Sequence, residues 1–334
     1  MRAHPLSTVS LLAPAGLLAT LLLFIPVLAV FLMSLTDWQF GATTLNWVGL
    51  QNYAELWSDA VFRKSVANTL VYLVLVTGGS IVLGLSLALL IESDRSGRGF
   101  YRTAFFMPAA STLIAMAVVW EFLLHPSAGL VNHLLQQVGV APQNWLNDRH
   151  LALYSLAAIG IWQMSGLALV FFLAGLQGIP RDVRDAAELD GIERPFDRFR
   201  FVTWPLLGPT TLFVITVCAI RALQVFDTVH VLTKGGPNKA TEVLLHTIYA
   251  EGFSFFRMGY ASALAWVLLI IIGAFTAIAG GDFGARFLEF FQNGFKDGRI
   301  GVLDLHAPAG DGCGHQVGAG FDTVRHHLEG GGVQ

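Results

Sequence analysis

Residues Arg181 to Pro209, RDVRDAAELDGIERPFDRFRFVTWPLLGP, form the stretch on which the reading of the whole chain turns. Asp182, Arg184, Asp185, Glu188, Asp190, Glu193, Arg194, Asp197, Arg198 and Arg200 crowd into it, while long apolar runs lie on either side. So dense a group of charges needs water around it, because an unpaired charge in an apolar setting is expensive. The local pattern predicts a short helix, a turn and a second short helix. Pro180 suits a first helical position, and Asp182 sits in the first turn, where the helix dipole favours an anion. Ala186, Ala187, Glu188 and Leu189 are good helix formers, and Gly191 falls where a left-handed C-terminal cap is wanted. Pro195 then opens the second helix, which carries Phe196, Phe199 and Arg200. The expected product is a compact helical elbow on the water side of a membrane.

The composition demands that membrane. Of 334 residues, 54% are hydrophobic and only 13% charged, with a mean hydropathy of +0.61; soluble chains carry about a quarter charged residues. A net charge of −3 leaves no basic footprint, so nucleic acid is not an expected partner. Two cysteines, Cys218 in an apolar run and Cys313 near the end, imply no disulfide framework.

Crossing the hydrocarbon layer takes about 20 apolar residues, and six runs of that kind are present. They are read as Leu11 to Leu35, Val66 to Ile91, Thr103 to Leu124, Leu151 to Leu176, Leu206 to Ala222 and Tyr260 to Ala279. The first could be read as a cleaved signal peptide, but it runs on through Phe31 without a clear small-residue cleavage site. Six spans place both termini on one side, and Lys/Arg placement says which. With the N-terminus inside, the inner segments hold Arg2, Arg95, Arg98, Arg102, Arg181, Arg184, Arg194, Arg198 and Arg200. The outer ones hold Arg63, Lys64, Arg149, Lys234, Lys239 and Arg257, spread over far more residues. Both termini and the 181–205 loop are therefore expected in the cytoplasm of a bacterial or archaeal cell, with the chain in its plasma membrane. The implied organisation is a cytoplasmic N-terminus (1–10), a first span (11–35), an outer connection (36–65), a five-helix core (66–279) and a tail (280–334).

Several short stretches carry a family resemblance. Asp185-Ala186-Ala187-Glu188-Leu189-Asp190-Gly191, then Phe199, then Pro205-Leu206-Leu207, resembles the EAA loop of type I ABC importer permeases. Asp185 stands in place of the usual Glu and keeps its charge; Ile192 stands in place of the usual Ala and adds bulk. Further matches follow in order: Trp47-Val48-Gly49-Leu50-Gln51-Asn52-Tyr53, Asn68-Thr69-Leu70, Arg102-Thr103 through Pro108, Trp162-Gln163, Leu173 through Pro180, Phe226-Asp227, Leu232 through Asn238, and Thr241-Glu242. The context is similar to the sugar-uptake branch, whose members serve maltose, multiple sugars and glycerol-3-phosphate. The resemblance covers about residues 45 to 278. It implies an all-α polytopic permease with six spans, one half of a heterodimeric pore. It also implies a second permease, two copies of an ATPase that binds the ATP, an extracytoplasmic solute-binding protein and a sugar as solute. Alternating access would be the mechanism, with no catalytic residue in this chain. The 181–205 loop would fit a groove on the ATPase, its coupling residues being Asp185 at the head of the motif, Glu188 and Asp190 for polar contacts, Ala186 and Ala187 for close approach and Gly191 for the turn. The plain alternative is a solvated charged loop in which Arg184 and Glu188 pair on one helical face.

The chemistry absent agrees with this. No G-x-x-x-x-G-K-[ST] phosphate loop is present, so the energy must come from another polypeptide. No Ser/His/Asp grouping, H-E-x-x-H or paired intramembrane aspartates argue for an intramembrane enzyme, and no carboxylates inside the spans argue for an ion-coupled carrier or channel. Trp162, Gln163, Gln224 and Asp227 are candidates to line a sugar path, since sugars call for amide hydrogen bonds and aromatic faces; helix-to-helix contact is their plainer reading. Arg221, Glu121 and His125 stand close enough to the outer interface to snorkel there. Gly235-Gly236-Pro237 is a turn signal. From Gly280 onward 14 of the 35 glycines occur, with His306, His315, His326 and His327. This tail reads as a disordered extension, as the product of a reading-frame change near codon 280, or as a functional domain. Cys313, His315, His326 and His327 fit no standard zinc spacing.

Overall fold

The computed structural model describes residue 14 and residues 16–93, 98–189 and 194–296. The chain divides into two units, Met1–Leu288 and Glu289–Gln334; every contact given below lies within the first, and the second is described only through its helical residues to 296. Among the described residues the regular structure is helical, with a single antiparallel bridge between Thr36 and Trp47.

Among the described residues four helices are long and apolar enough to cross a membrane, and with each of two bent helix pairs counted as one span the number reaches up to the six expected. The first span, α1, is Gly16–Ser34, and it opens with a wide π turn over Thr20–Phe24. A short outer helix α2 (Gln51–Ser58) leads into α3 (Ala60–Ser93), which starts earlier than the apolar run from Val66 because Arg63 and Lys64 occupy its first two turns. The expected third span is broken. It consists of α4 (Arg98–Ala110) and α5 (Leu113–Leu123), which meet at 97°. Pro108 accounts for the weakness: its ring removes one helical hydrogen bond and crowds the preceding turn, and Thr112 follows with extended backbone (φ −70°, ψ 131°). A short outer helix α6 (Leu130–Gln137) precedes α7 (Ala152–Gln177), which matches the expected fourth span to within a residue at each end.

Both arms of the elbow are helical, as the sequence predicts, while the turn between them, residues 190–193, lies outside the described residues. Helix α8 is Arg181–Leu189, beginning one residue after Pro180, and α9 is Pro195–Leu206, opened by Pro195 with Arg194 extended before it. Helix α10 (Gly208–Leu223) continues from α9 at an angle of 69°. The fifth span is therefore α10 preceded by a helix that the apolar run did not announce, and Pro205 and Pro209 flank the break because neither can donate a backbone hydrogen bond. Beyond a loop come α11 (Leu244–Tyr249) and α12 (Met258–Lys296). The apolar part of α12 ends at Gly281, but the helix runs on to Lys296, so the tail boundary read at Gly280 is not a break in secondary structure.

Helix α7 is the centre of the molecule. Leu156, Ile159, Ala168, Leu169 and Phe172 on it are essentially without exposed surface. Its inner half joins Leu85, Ala88 and Ile91 of α3 and Leu207, Val214 and Cys218 around α10; its outer half joins Tyr72 and Val76 of α3 with Ala222, Val225 and Val229. Glycine makes the approach of α3 and α7 possible. A Cβ on Gly84 would stand 2.6 Å from the Ala168 Cβ and 3.0 Å from the Leu169 nitrogen, and one on Gly160 would stand 2.5 Å from the Tyr72 hydroxyl oxygen. In lipid, where burial of apolar surface gives no drive between helices, such close backbone contact is what holds them. By contrast α1 exposes Leu17, Leu18, Leu21, Leu22, Leu23 and Phe24 and is fixed near its outer end, where Phe31 meets Trp266 edge-on at 5.0 Å and Ser34 Oγ lies 2.7 Å from Tyr53 Oη.

Candidate functional site

Two regions hold the residues that the sequence nominates. The first is α8. Val183 and Ala187 share its inward side, and Ala187 is buried; Asp182, Asp185, Ala186, Glu188 and Leu189 are exposed, Leu189 to 90%. Of the two alanines expected to allow close approach of a partner, only Ala186 therefore faces outward. Glu188 is bonded within the chain: Arg198 Nη2 donates to its Oε1 at 2.5 Å. Arg184, the partner offered by helical spacing, has a side chain outside the described ones, and Asp190 and Gly191 also lie outside the described residues.

The second region is a cavity of about 190 Å³ among α3, α5, α7 and the outer end of α10. Tyr72 and Val76 of α3, Gly160, Gln163 and Met164 of α7, Arg221 and Ala222 of α10 and the following Gln224, Phe226, Asp227 and Thr228 line it. Leu113 reaches it because the bend between α4 and α5 starts a new helix at that point. Gln163, Gln224 and Asp227 thus come together as expected. Trp162 does not join them: it packs edge-on against Trp120 at 5.4 Å and is not among the lining residues, since its neighbour Gln163 points to the other side of the helix. Tyr72 and Phe226 are wall residues that sequence reasoning passed over. For Phe226 the signal was its place beside Asp227 in the family pattern; Tyr72 lies in an apolar run that gives no cue. Arg221 and Asp227 bring one charge of each sign to a wall otherwise made of amides, aromatic faces and methyl groups. His125 is exposed and its Nδ1 accepts from the Ala128 backbone N–H at 3.2 Å.

A loop beyond α10 closes over this outer end. Glu242 has no exposed surface; its carboxylate accepts from Lys239 Nζ at 3.0 Å and from Thr247 Oγ1 at 3.2 Å, and lies 2.7 Å from His246 Nδ1. Burial pushes the Glu242 carboxyl up, but the hydrogen bonds and positive charge of His246 and Lys239 outweigh it and hold the group below its ordinary value. The Gly235-Gly236-Pro237 turn has a second purpose here. Gly235 has φ +79°, and a Cβ on it would overlap Glu242 Oε2, so the turn leaves the space that the carboxylate fills. Asn68 and Lys64 of α3 donate to the carbonyls of Glu242 (2.8 Å) and Asn238 (2.6 Å), which fastens the loop to the second span.

Residues 80–283 match the binding-protein-dependent transport system inner membrane component family. The chain belongs to this family. It is a multi-pass inner-membrane permease component of an ATP-binding cassette importer, and not an enzyme. Among proteins of known assignment, it is 34% identical over 285 residues to the sn-glycerol-3-phosphate transport system permease protein of Agrobacterium fabrum, covering 84% of this chain and 93% of that one. It is 33% identical over 267 residues to the trehalose/maltose transport system permease protein of Thermococcus litoralis, covering 78% and 89%. In three dimensions it resembles a chain of a bacterial ABC transporter involved in the import of the acidic polysaccharide alginate, with a TM-score of 0.72, 21% identity and coverage of 83% and 94%. The permease fold is thus shared along nearly the full length of these proteins. The family match ends at 283, and the candidate zinc residues Cys313, His315, His326 and His327 lie outside the described residues.

Proposed function

We propose that this permease pairs with a second, related permease and a dimer of a separate ATPase to import a sugar or sugar-like solute handed over by an extracytoplasmic binding protein. The observation that carries the assembly is α8, a charged helix whose Asp185, Ala186 and Glu188 face outward while Ala187 turns toward its own chain. A short rigid helix presented in this way can enter a groove on the ATPase and pass on a rigid-body shift without any bond chemistry. ATP is bound by the ATPase; its closure moves α8, and the spans around the cavity reorient. Asp185, Ala186 and Asp190 contact the ATPase, Glu188 serves coupling from the same helix through its bond to Arg198, and Gly191 makes the turn that follows. The N-terminus and the elbow lie in the cytoplasm, in keeping with the excess of arginine on that side.

The cavity suits a neutral, hydroxyl-rich solute. Gln163 and Gln224 offer amide hydrogen bonds, Tyr72 and Phe226 offer ring faces, and Arg221 and Asp227 add one charge of each sign, so the lining carries no net charge. The relative named for trehalose and maltose supports a solute of this class, and the one named for glycerol-3-phosphate supports a small hydroxylated solute more broadly. The test is a mild-detergent purification of the tagged chain from its native membrane, with every co-purifying protein identified by mass spectrometry. An ATPase and a second permease are expected, and recovery of the chain alone would refute the assembly. Gly191→Val should insert normally yet uncouple ATP hydrolysis from uptake, because a left-handed cap accepts Gly far better than a β-branched residue; normal uptake would remove the turn from the coupling role. Gln163→Ala should weaken uptake about fivefold, the equivalent of one hydrogen bond of about 1 kcal/mol, with assembly unchanged.

A further inference from the structure

The bond between Arg198 and Glu188 joins the two arms of the elbow, and its surroundings point to a use. Nη2 of Arg198 donates to Oε1 of Glu188 at 2.5 Å, and the two side chains are 36% and 56% exposed. An ion pair so exposed adds little to folding, so stability does not explain it. Its position does. Arg198 ends the short α-helical turn Pro195–Arg198, and the next residue, Phe199, opens the π turn Phe199–Thr203. The Phe199 ring packs against the inner core that unites Leu85 and Ala88 of α3, Phe172 of α7, and Leu207 and Val214 beside and within α10. Arg198 is therefore a single peptide link away from the point where three spans meet. Its guanidinium is sunk into the elbow: Nε is buried without a hydrogen-bond partner, and Nη2 makes the bond to Glu188. Arginine fits such a role because its planar fork has a fixed geometry, which a flexible ammonium lacks.

Helix α8 needs such a link. Its outward face is exposed, Leu189 at its end is 90% exposed, and its inward anchors among the described side chains are the half-buried Val183 and the small Ala187. A push on α8 delivered through so slight a contact would tilt the helix without moving the spans. We infer that the Arg198–Glu188 ion pair is a strap that makes α8 and α9 move as one, so that displacement of α8 reaches Phe199 and the fifth span. Glu188 then works through Arg198 as a positioning residue, and the outward contact with the ATPase falls to Asp185 and Ala186. This inference rests on the proposed docking of the ATPase at α8.

The experiment uses the complete complex in lipid nanodiscs, with the binding protein that co-purifies with it as the probe. Its readouts are the stoichiometry of bound ATPase and the factor by which the binding protein stimulates ATP hydrolysis. Arg198→Glu and Glu188→Arg are each expected to keep the ATPase bound but to lower that factor about three- to tenfold, the range of coupling changes seen for residues that touch neither ligand. The double exchange, Glu188→Arg with Arg198→Glu, should restore most of it. Arg198→Lys, which keeps the charge and perturbs folding least, should retain more of it than Arg198→Gln. The strap is overturned if both single variants keep full stimulation, if the double exchange fails to rescue, if Glu188→Arg is defective while Arg198→Glu is not, or if either single variant releases the ATPase. The underlying reading is tested separately by Ala186→Arg, which leaves the strap untouched: unchanged ATPase binding and stimulation in that variant would mean that α8 is not the docking helix.

Discussion

Glu242 shows how a charge is kept inside this protein. With no exposed surface it would be costly, yet His246, Lys239 and Thr247 all reach its carboxylate and Gly235 clears the space for it. Removing the carboxylate in Glu242→Ala would strand those donors and should destabilise the loop by about 1–3 kcal/mol, read as faster hydrogen exchange over residues 233–247. The pH dependence has a definite sign. The folded carboxyl titrates below the unfolded value of about 4.3, so its contribution is present above that value and is lost as pH falls through the folded pKa. Protection of this loop, taken as exchange relative to the intrinsic rate at each pH, should therefore hold steady from neutral pH down to about 5 and fall as pH drops below about 4, while Glu242→Gln should flatten that response. The sequence showed Thr241-Glu242 as part of an ordered pattern, and Gly235 as a turn, but the meeting of Gly235 with Glu242 is a tertiary fact. The same holds for Glu188, for which helical spacing offered Arg184 while the structure supplies Arg198 from across the elbow.

Among the elements, the pairing of α3 with α7 is the rigid one. Gly84 faces the Ala168 Cβ and the Leu169 backbone, whereas Gly78, less than two turns away, has open space around it. Gly84→Leu should force the helices apart and lower the unfolding temperature in detergent, at a cost of about 1–3 kcal/mol; Gly78→Leu should leave it unchanged. Equal effects from the two would mean that close approach is not what holds the pair. The spans themselves were legible, because an uninterrupted run of about 20 apolar residues matches the thickness of the hydrocarbon layer and is rarely needed elsewhere in a fold. Their bends were not. Pro108, Pro205 and Pro209 mark where a helix is weak, but the 97° and 69° angles follow from what the next segment packs against: Leu113 at the cavity and Val214 in the inner core. The elbow was legible for a different reason, since its charges, its two prolines and its helix formers all point to one local structure.

For the molecule as a whole, six spans, an elbow and an outer loop fastened to the second span make a permease whose family match ends at residue 283, although α12 continues to Lys296. A chain ending at residue 296 should insert, fold and retain its partners as the full chain does, checked by co-purification from the native membrane; loss of the ATPase or the second permease would assign the remaining residues a part in assembly. The spans also differ greatly in reach. At about 1.5 Å per residue, the 11 residues of α5 extend only about 16 Å and the 16 of α10 about 24 Å, while the 34 of α3 extend about 51 Å. Against a hydrocarbon layer of about 30 Å, neither α5 nor α10 crosses alone, so the third and fifth spans each need both arms of a bent pair, while α3 is long enough to project beyond the layer. A bent pair can change its angle to meet the thickness of the layer around it, so these two spans are where the permease is sensitive to membrane thickness. In lipids of increasing acyl length the two bends would be pulled straighter, so the lipid that surrounds this chain helps to set the shape of the passage it encloses.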